Sequence, residues 1–320
     1  MRRGVVLALL VLAPLAAPAA RGADDAQPRV SAVGAIAITV SSVERAAAFY
    51  TALLGFDKVA ERLQGEGARR ARVVGLRLGD ERLDLVEYLT AHGRPIPPDS
   101  RSHDRWFQHI AIIVSDMDRA YARLQPRVEH VSPAPQRLPD WNPKAGGIRA
   151  FYFKDPDGHV LEILWFPPGK GDARWHGRAG DRLFLGIDHT AIVVGDTARS
   201  LTCYRDALGL SVAGESENWG PEQERLNNVA GARLRITTLR APVGPGIEFL
   251  EYLAPRDGRP IPADARPEDL AHWQTALVTA DAPALERALR GGACTPVTGV
   301  IGRAFLVRDP DGHALELVER

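Results

Sequence analysis

Net charge is the first thing this sequence lacks: 40 Lys and Arg offset 40 Asp and Glu. Nothing in that balance suggests a nucleic acid or an anionic membrane as partner. Cysteine is nearly absent, Cys203 and Cys294 being the only two, so one disulfide is the most the chain can form. Cys203 takes, in a helical pattern, the place that Phe49 takes in an earlier copy of that pattern, which favours a small buried hydrophobe over a bridge. Long apolar runs are equally scarce, and beyond the N-terminus no stretch is long and apolar enough to cross a membrane. The N-terminus differs. Met1-Arg2-Arg3 is basic, Val5 to Leu15 is apolar apart from the break at Pro14, and small residues follow. That is the pattern of a secretory signal peptide over residues 1–22, with cleavage after Ala19 or Gly22. Export to a periplasmic or extracellular location is expected, without membrane attachment once the signal is removed; an uncleaved anchor is the rival reading.

What the sequence does have is repetition. Gly93-Arg94-Pro95-Ile96-Pro97 recurs as Gly258-Arg259-Pro260-Ile261-Pro262, an offset of 258 − 93 = 165, and similar strands follow each copy. Two homologous halves result, 30–168 and 183–320, joined by a Gly- and Arg-rich linker at 169–182. Each half divides again. The stretches 35–40, 109–114, 189–194 and 274–279 are four similar strands, and each is followed by an amphipathic helix and a run of further strands. Helices one and three stop at Gly55 and Gly209, where glycine favours a left-handed cap. The stretches 127–147 and 214–228 read as long loops that carry Trp141 and Trp219 and are placed to act as lids.

The last strands of each half hold a repeated turn: Asp155-Pro156-Asp157-Gly158-His159 and Asp309-Pro310-Asp311-Gly312-His313. Pro presets φ and Gly tolerates positive φ, so each copy reads as a hairpin turn, with His159 and His313 facing solvent. Glu162 and Glu316 stand alone in the apolar arms that follow. A carboxylate on such a strand is costly unless paired, and a metal ion is one partner.

Four such units with Asp-Pro-Asp-Gly-His before a terminal Leu-Glu resemble the vicinal oxygen chelate superfamily of glyoxalase I, bleomycin-resistance proteins and extradiol dioxygenases. The resemblance implies an α+β fold of four βαβββ modules paired into two cup-shaped sheets, modules 1 and 2 forming one and modules 3 and 4 the other. It also implies a divalent metal (Fe, Mn, Ni, Zn or Co) inside a cup, with ligands from the start of each first strand and from a carboxylate on each last strand. Carried across by residue, the C-terminal half offers His189, Glu248, Gln274 and Glu316. The N-terminal half offers a weaker set, Asp84, His109 and Glu162, with Ala35 in the fourth place. Glu251 and Glu87 are the alternatives if the strand register shifts, as His272 is for Gln274. The implied chemistry is that of a lyase, isomerase or dioxygenase on a small oxygen-chelating molecule, with Glu248 or Glu316 moving a proton. The alternative is a metal-free binding protein whose pocket is lined by Trp141, Trp219 and Trp273. Four modules can complete both cups in one chain, as a monomer or a homodimer.

Overall fold

The computed structural model describes residues 29–176, 182–301 and 304–320; the expected signal peptide lies outside the described residues. Module 1 comprises β1 (Val30–Thr39), α1 (Val43–Leu54), β2 (Asp57–Gln64), β3 (Ala71–Leu78) and β4 (Glu81–Tyr88). Module 2 follows with β5 (Gln108–Val114), α2 (Met117–Leu124), the short β6 (Glu129–His130) and β7 (Gln136–Arg137), then β8 (Arg149–Lys154) and β9 (Val160–Trp165). Module 3 has β10 (Phe184–Val193), α3 (Thr197–Leu201) running into a π-helical turn (Thr202–Ala207), β11 (Ser211–Trp219), α4 (Pro221–Asn227), β12 (Arg233–Arg240) and β13 (Gly246–Ala254). Module 4 closes the chain with β14 (Trp273–Thr279), α5 (Ala282–Leu289), β15 (Thr295–Ile301), β16 (Ala304–Arg308) and β17 (Ala314–Glu319). The stretch 214–228, expected as a loop, is thus the outer part of β11 and α4.

Local chemistry starts each module helix in the same way. Ser42, Asp116, Asp196 and Asp281 are N-caps in extended conformation whose side chains accept from the backbone amides of Arg45, Arg119, Arg199 and Ala284, satisfying a donor that the first turn leaves free. Glu87 and Glu251 accept from the amides of Val43 at 3.0 Å and Thr197 at 3.3 Å. These two carboxylates therefore turn away from the cups, and the register that points Asp84 and Glu248 inward holds.

The modules pair differently from the expectation. Sheet one runs β15-β16-β17-β14-β1-β4-β3-β2, joining modules 4 and 1, and sheet two runs β11-β12-β13-β10-β5-β9-β8-β6, joining modules 3 and 2. The seams are antiparallel, β1 on β14 and β5 on β10. All four first strands present a similar edge, so the pairing is decided by where the linkers run. The segments 89–107 and 255–272 each carry the chain from one sheet to the other, and they clasp each other there. Arg94 reaches Asp269 at 2.7 Å and Asp264 at 2.9 Å, while Arg259 reaches Asp104 at 2.6 Å and Asp99 at 2.7 Å. Gly93 and Gly258 allow this approach: a Cβ would lie 1.8 Å from Glu268 O in one and 1.9 Å from His103 O in the other.

The sequence halves survive as cores. One apolar cluster unites α1, α2 and the buried faces of modules 1 and 2, including Tyr50, Leu54, Ile112 and Phe151; another unites modules 3 and 4 around Tyr204, Phe249, Leu285 and Leu317. Cys203 and Cys294, both fully buried, form a disulfide within the second, so the simple hydrophobe reading of Cys203 is corrected.

The repeated turns tie the two sheets together, and His159 and His313 are buried rather than solvent-facing. Asp155 Oδ1 accepts from the amides of Asp157 and His159, both at 2.9 Å, while its Oδ2 meets the Tyr50 hydroxyl at 3.1 Å. His159 Nδ1 lies 2.9 Å from Asp155 Oδ2 and its Nε2 lies 2.8 Å from Leu270 O, just ahead of β14. Both ring nitrogens thus face acceptors, which only the protonated imidazole can satisfy. Burial alone would lower the His159 pKa, yet Asp155 and Asp157 outweigh it and the net shift is upward; burial would raise Asp155, and His159 brings it below its usual value. The His159 contribution is complete below about pH 6.5 and is lost as pH rises through the raised folded value; the Asp155 contribution is complete above about pH 4 and is lost in acid. The stability gap between wild type and His159→Gln is therefore expected to be widest between about pH 4 and 6.5 and to narrow toward alkaline pH. Denaturant midpoints across pH check this, and a gap that widens with alkalinity contradicts it.

Candidate metal centre

Four central strands of sheet two position the site. β9 runs parallel to β5, β13 parallel to β10, and the β5–β10 seam joins the pairs. Ala111 sits opposite both Glu162 and His189, and Ala191 sits opposite both His109 and Glu248. Strand alternation puts each Ala on the same face as the His two residues before it, so two methyl groups floor a space edged by four longer side chains.

Those side chains converge. His109 Nε2 lies 3.2 Å from Glu162 Oε2; His189 Nε2 lies 3.8 Å from the same oxygen and 3.6 Å from Glu248 Oε1. Ligand atoms of His109, Glu162 and His189 all lie within 4.8 Å of one another, and among the described residues no other group of three such donors does so. All three residues are buried. Both ring nitrogens of His109 and Nε2 of His189 nonetheless make no hydrogen bond among the described residues. A buried polar atom left so costs roughly 1–3 kcal/mol, which coordination would offset. Two imidazoles and two carboxylates fit a first-row divalent ion, Zn, Fe, Ni, Co or Mn.

A supporting shell fixes the ligands. The β10 register slips between Ile187 and His189, and beside this irregularity Asp188 Oδ2 meets His189 Nδ1 at 3.0 Å. Arg240 holds the Asp188 carboxylate at 2.9 and 3.1 Å, and Trp175 Nε1 donates to it at 2.9 Å. Burial would raise the Asp188 carboxyl, but these hydrogen bonds and charges hold it well below the usual range. Burial would likewise lower His189; Glu248, Asp188 and Glu162 outweigh it and raise the imidazole to about 9. An Asp188–Nδ1 contact leaves Nε2 as the ligating atom. Asp188→Asn is expected to weaken metal binding roughly 10- to 100-fold while leaving the fold intact, which chelator competition measures; unchanged affinity would remove Asp188 from this role. Glu248 Oε2 accepts from Thr238 at 3.0 Å. Tyr152, opposite Glu162 in β8, packs its ring 4.8 Å from His109. Burial, and then the Glu162 charge, push its hydroxyl far above the usual phenol value.

Above the donors lies a cavity of about 370 Å³, walled by Leu138, Ile148, Leu226 and Leu250, with Asn218 and Gln223 as polar contacts. The segment 132–147 folds over it and is held where Asn142 donates to Asn218 Oδ1 at 2.7 Å. Trp141 and Trp219 pack on each other outside, tilted by 31° with ring centroids 4.4 Å apart and about half exposed (50% and 48%). Trp273 is elsewhere, edge-on to His159 at 5.5 Å between the sheets. The expected aromatic lining is thus corrected: none of the three lines this cavity.

The expected four-donor set is divided by the fold. His189 and Glu248 belong to sheet two with His109 and Glu162, whereas Gln274 and Glu316 belong to sheet one with Ala35 and Asp84. There Asp84 is taken by Arg62 at 2.9 Å, with Arg82 at 3.6 Å. The sequence reading named all four donors of the sheet-two cup but grouped them wrongly. It missed Asp188, Thr238 and Arg240, for which no pattern beyond the adjacency of Asp188 to His189 gave a signal.

Four βαβββ modules joined edge to edge into two cups, one holding a buried His109–Glu162–His189 cluster with Glu248 at its edge, define a two-cup α+β protein. The chain belongs to the Glyoxalase/Bleomycin resistance protein/Dioxygenase superfamily, whose family model matches residues 32–163 and again 186–317. Among solved structures it is similar to glyoxalase I from Zea mays (16% identity, 91% of this chain, 92% of that chain, TM-score 0.57) and to a point variant of that enzyme (15%, 92%, 94%, 0.60). It is also similar to a Bacillus subtilis protein whose name proposes a dioxygenase (15% identity, 91% of this chain, 86% of that chain, TM-score 0.58). At such identities the likeness speaks for the fold alone. No curated protein matches the chain in sequence.

Proposed function

We propose that the protein is a divalent-metal enzyme, a lyase, isomerase or dioxygenase by class, acting on a small molecule that presents two neighbouring oxygens. The observation that carries this reading is the meeting of His109 Nε2 and His189 Nε2, buried and without hydrogen bonds, at Glu162 Oε2. His109, Glu162, His189 and Glu248 would hold the ion. When bound, the ion supplies Lewis-acid polarisation of the two substrate oxygens. Glu248 is the more accessible carboxylate, its side chain 17% exposed against 6% for Glu162. It lines the cavity, is oriented by Thr238, and is the group placed to take a proton from the substrate. Tyr152, kept protonated, lines the same cavity and offers a hydroxyl as donor. Glu316, in the other cup, has no part in this chemistry.

Each cup is completed within one chain, so the site needs no second subunit. Export fits the N-terminal pattern and is favoured by the Cys203–Cys294 bridge, since disulfides persist in oxidising compartments. Metal analysis after stripping with a chelator and reconstitution tests the enzyme reading: one ion per chain is expected. A chain that stays metal-free in excess Zn, Ni, Co, Mn and Fe(II) would overturn it and leave a metal-free binding protein.

A further inference from the structure

A cavity of about 140 Å³ lies between the sheets, where the two crossing linkers meet them. Pro95 and Trp106 from one linker, Ile261 and Pro262 from the other, and Trp273 at the start of β14 give it apolar walls. Its charged groups are Arg94, Arg266, Asp269 and Arg308. The first three are compensated: Arg94 meets Asp269 at 2.7 Å and Asp264 at 2.9 Å, and Arg266 lies 3.4 Å from Glu268 and 3.6 Å from Asp269. Arg308 is the exception. Among the described residues it makes no ion pair, and its one hydrogen bond runs from Nη1 to Gly312 O at 2.7 Å. The adjacent Asp309 is turned elsewhere, its Oδ1 to the amides of Asp311, Gly312 and His313 and its Oδ2 to the Tyr204 hydroxyl. Burial, and then the Arg308 charge, lower the neighbouring His272 imidazole to about 4, so it stays neutral.

The internal repeat shows what Arg308 is missing. Lys154 holds in module 2 the place of Arg308 in module 4, each just before its Asp-Pro-Asp-Gly-His turn. Glu129 stands opposite Lys154 in the β6–β8 ladder and pairs with it at 2.6 Å. In the β15–β16 ladder Thr295 stands opposite Arg308. One register position thus carries an acid in one module and an exposed hydroxyl residue in the other. A half-buried guanidinium without a counter-charge attracts an anion more strongly than it would in water, and its planar N–H groups match a carboxylate. A single uncompensated charge among apolar walls selects a monoanion with an apolar body over a phosphate or a neutral molecule.

We propose that this cavity binds a small organic carboxylate, with its charged group on the Arg308 guanidinium and its apolar body against Trp106 and Trp273. Isothermal titration calorimetry of the purified full chain with benzoate, benzyl alcohol and inorganic phosphate tests it in wild type, Arg308→Met and Thr295→Glu. The second variant restores the acid of module 2 at an exposed position, so it neutralises Arg308 without disturbing the core. Wild type is expected to bind benzoate saturably and at least about ten-fold more tightly than either other probe, and both variants to lose at least about ten-fold in benzoate affinity. Thr295→Glu should keep the wild-type thermal midpoint and metal content, which separates this site from the metal centre. Absence of saturable benzoate binding, equal binding of benzyl alcohol or phosphate, or benzoate affinity unchanged in Thr295→Glu would each overturn the proposal.

Discussion

His109→Ala and His189→Ala are each expected to leave the protein with less than a tenth of its bound metal, whereas Gln274→Ala and Glu316→Ala keep it all. The argument is geometric. Each His→Ala change removes one of two imidazoles that converge on Glu162 within a buried cluster. Loss of one ligand from a four-donor set exceeds the 10- to 100-fold effect typical of an outer partner such as Asp188. Gln274 and Glu316 sit in the other sheet, where Ala35 provides no ligand and Asp84 is held by Arg62. Metal content per chain by elemental analysis, with thermal unfolding as the control for folding, reads the outcome. Metal lost with Glu316→Ala but kept with His109→Ala would place the centre in sheet one and reverse the assignment.

The second large effect concerns stability. The Cys203–Cys294 bridge joins residues separated by 91 positions and ties the π-helical turn of module 3, in sheet two, to the start of β15 in module 4, in sheet one. A cross-link over such a span restricts the unfolded chain, and its removal from a buried site is expected to cost about 2–4 kcal/mol. Double replacement Cys203→Ala, Cys294→Ala should therefore lower the denaturant midpoint clearly, and wild type unfolded and refolded under strong reductant should show the same loss. Metal content at low denaturant should not change, because neither sulfur touches the sheet-two cup. Equal midpoints for the double variant and the oxidised wild type would show that the bridge contributes nothing.

Much of this molecule could be read in the sequence, and the failures share one cause. The four modules and their helix stops at Gly55 and Gly209 follow from spacing and residue type, since such stops depend on neighbours a few residues away. That Glu248 and Glu251 face opposite ways also follows, because strand alternation separates residues three apart; which of them faces the cup is decided only where Glu251 accepts from the Thr197 amide. His159 was misread for the opposite reason. In the turn alone it is a polar residue after Gly158 whose Nδ1 meets Asp155, and only Leu270 O, 111 residues away, and Trp273, edge-on to the ring, give Nε2 its acceptor and bury it. The disulfide was allowed but ranked second, because Cys294 comes to Cys203 in the shared core of modules 3 and 4 rather than through any spacing.

The sequence by itself determined the unit of construction: one βαβββ module repeated four times, each with a donor position on its first strand and another on its last. Periodicity, caps and the Asp-Pro-Asp-Gly-His turn are local, and local interactions are written in consecutive residues. Tertiary structure alone decided which modules share a cup. Four similar strand edges can pair in more than one way, and the crossing linkers, clasped by Arg94–Asp269 and Arg259–Asp104, brought β5 to β10 and β1 to β14. That choice gathered His109, Glu162, His189 and Glu248 around one point, and it left Ala35, Asp84, Gln274 and Glu316 to form a cup of another kind.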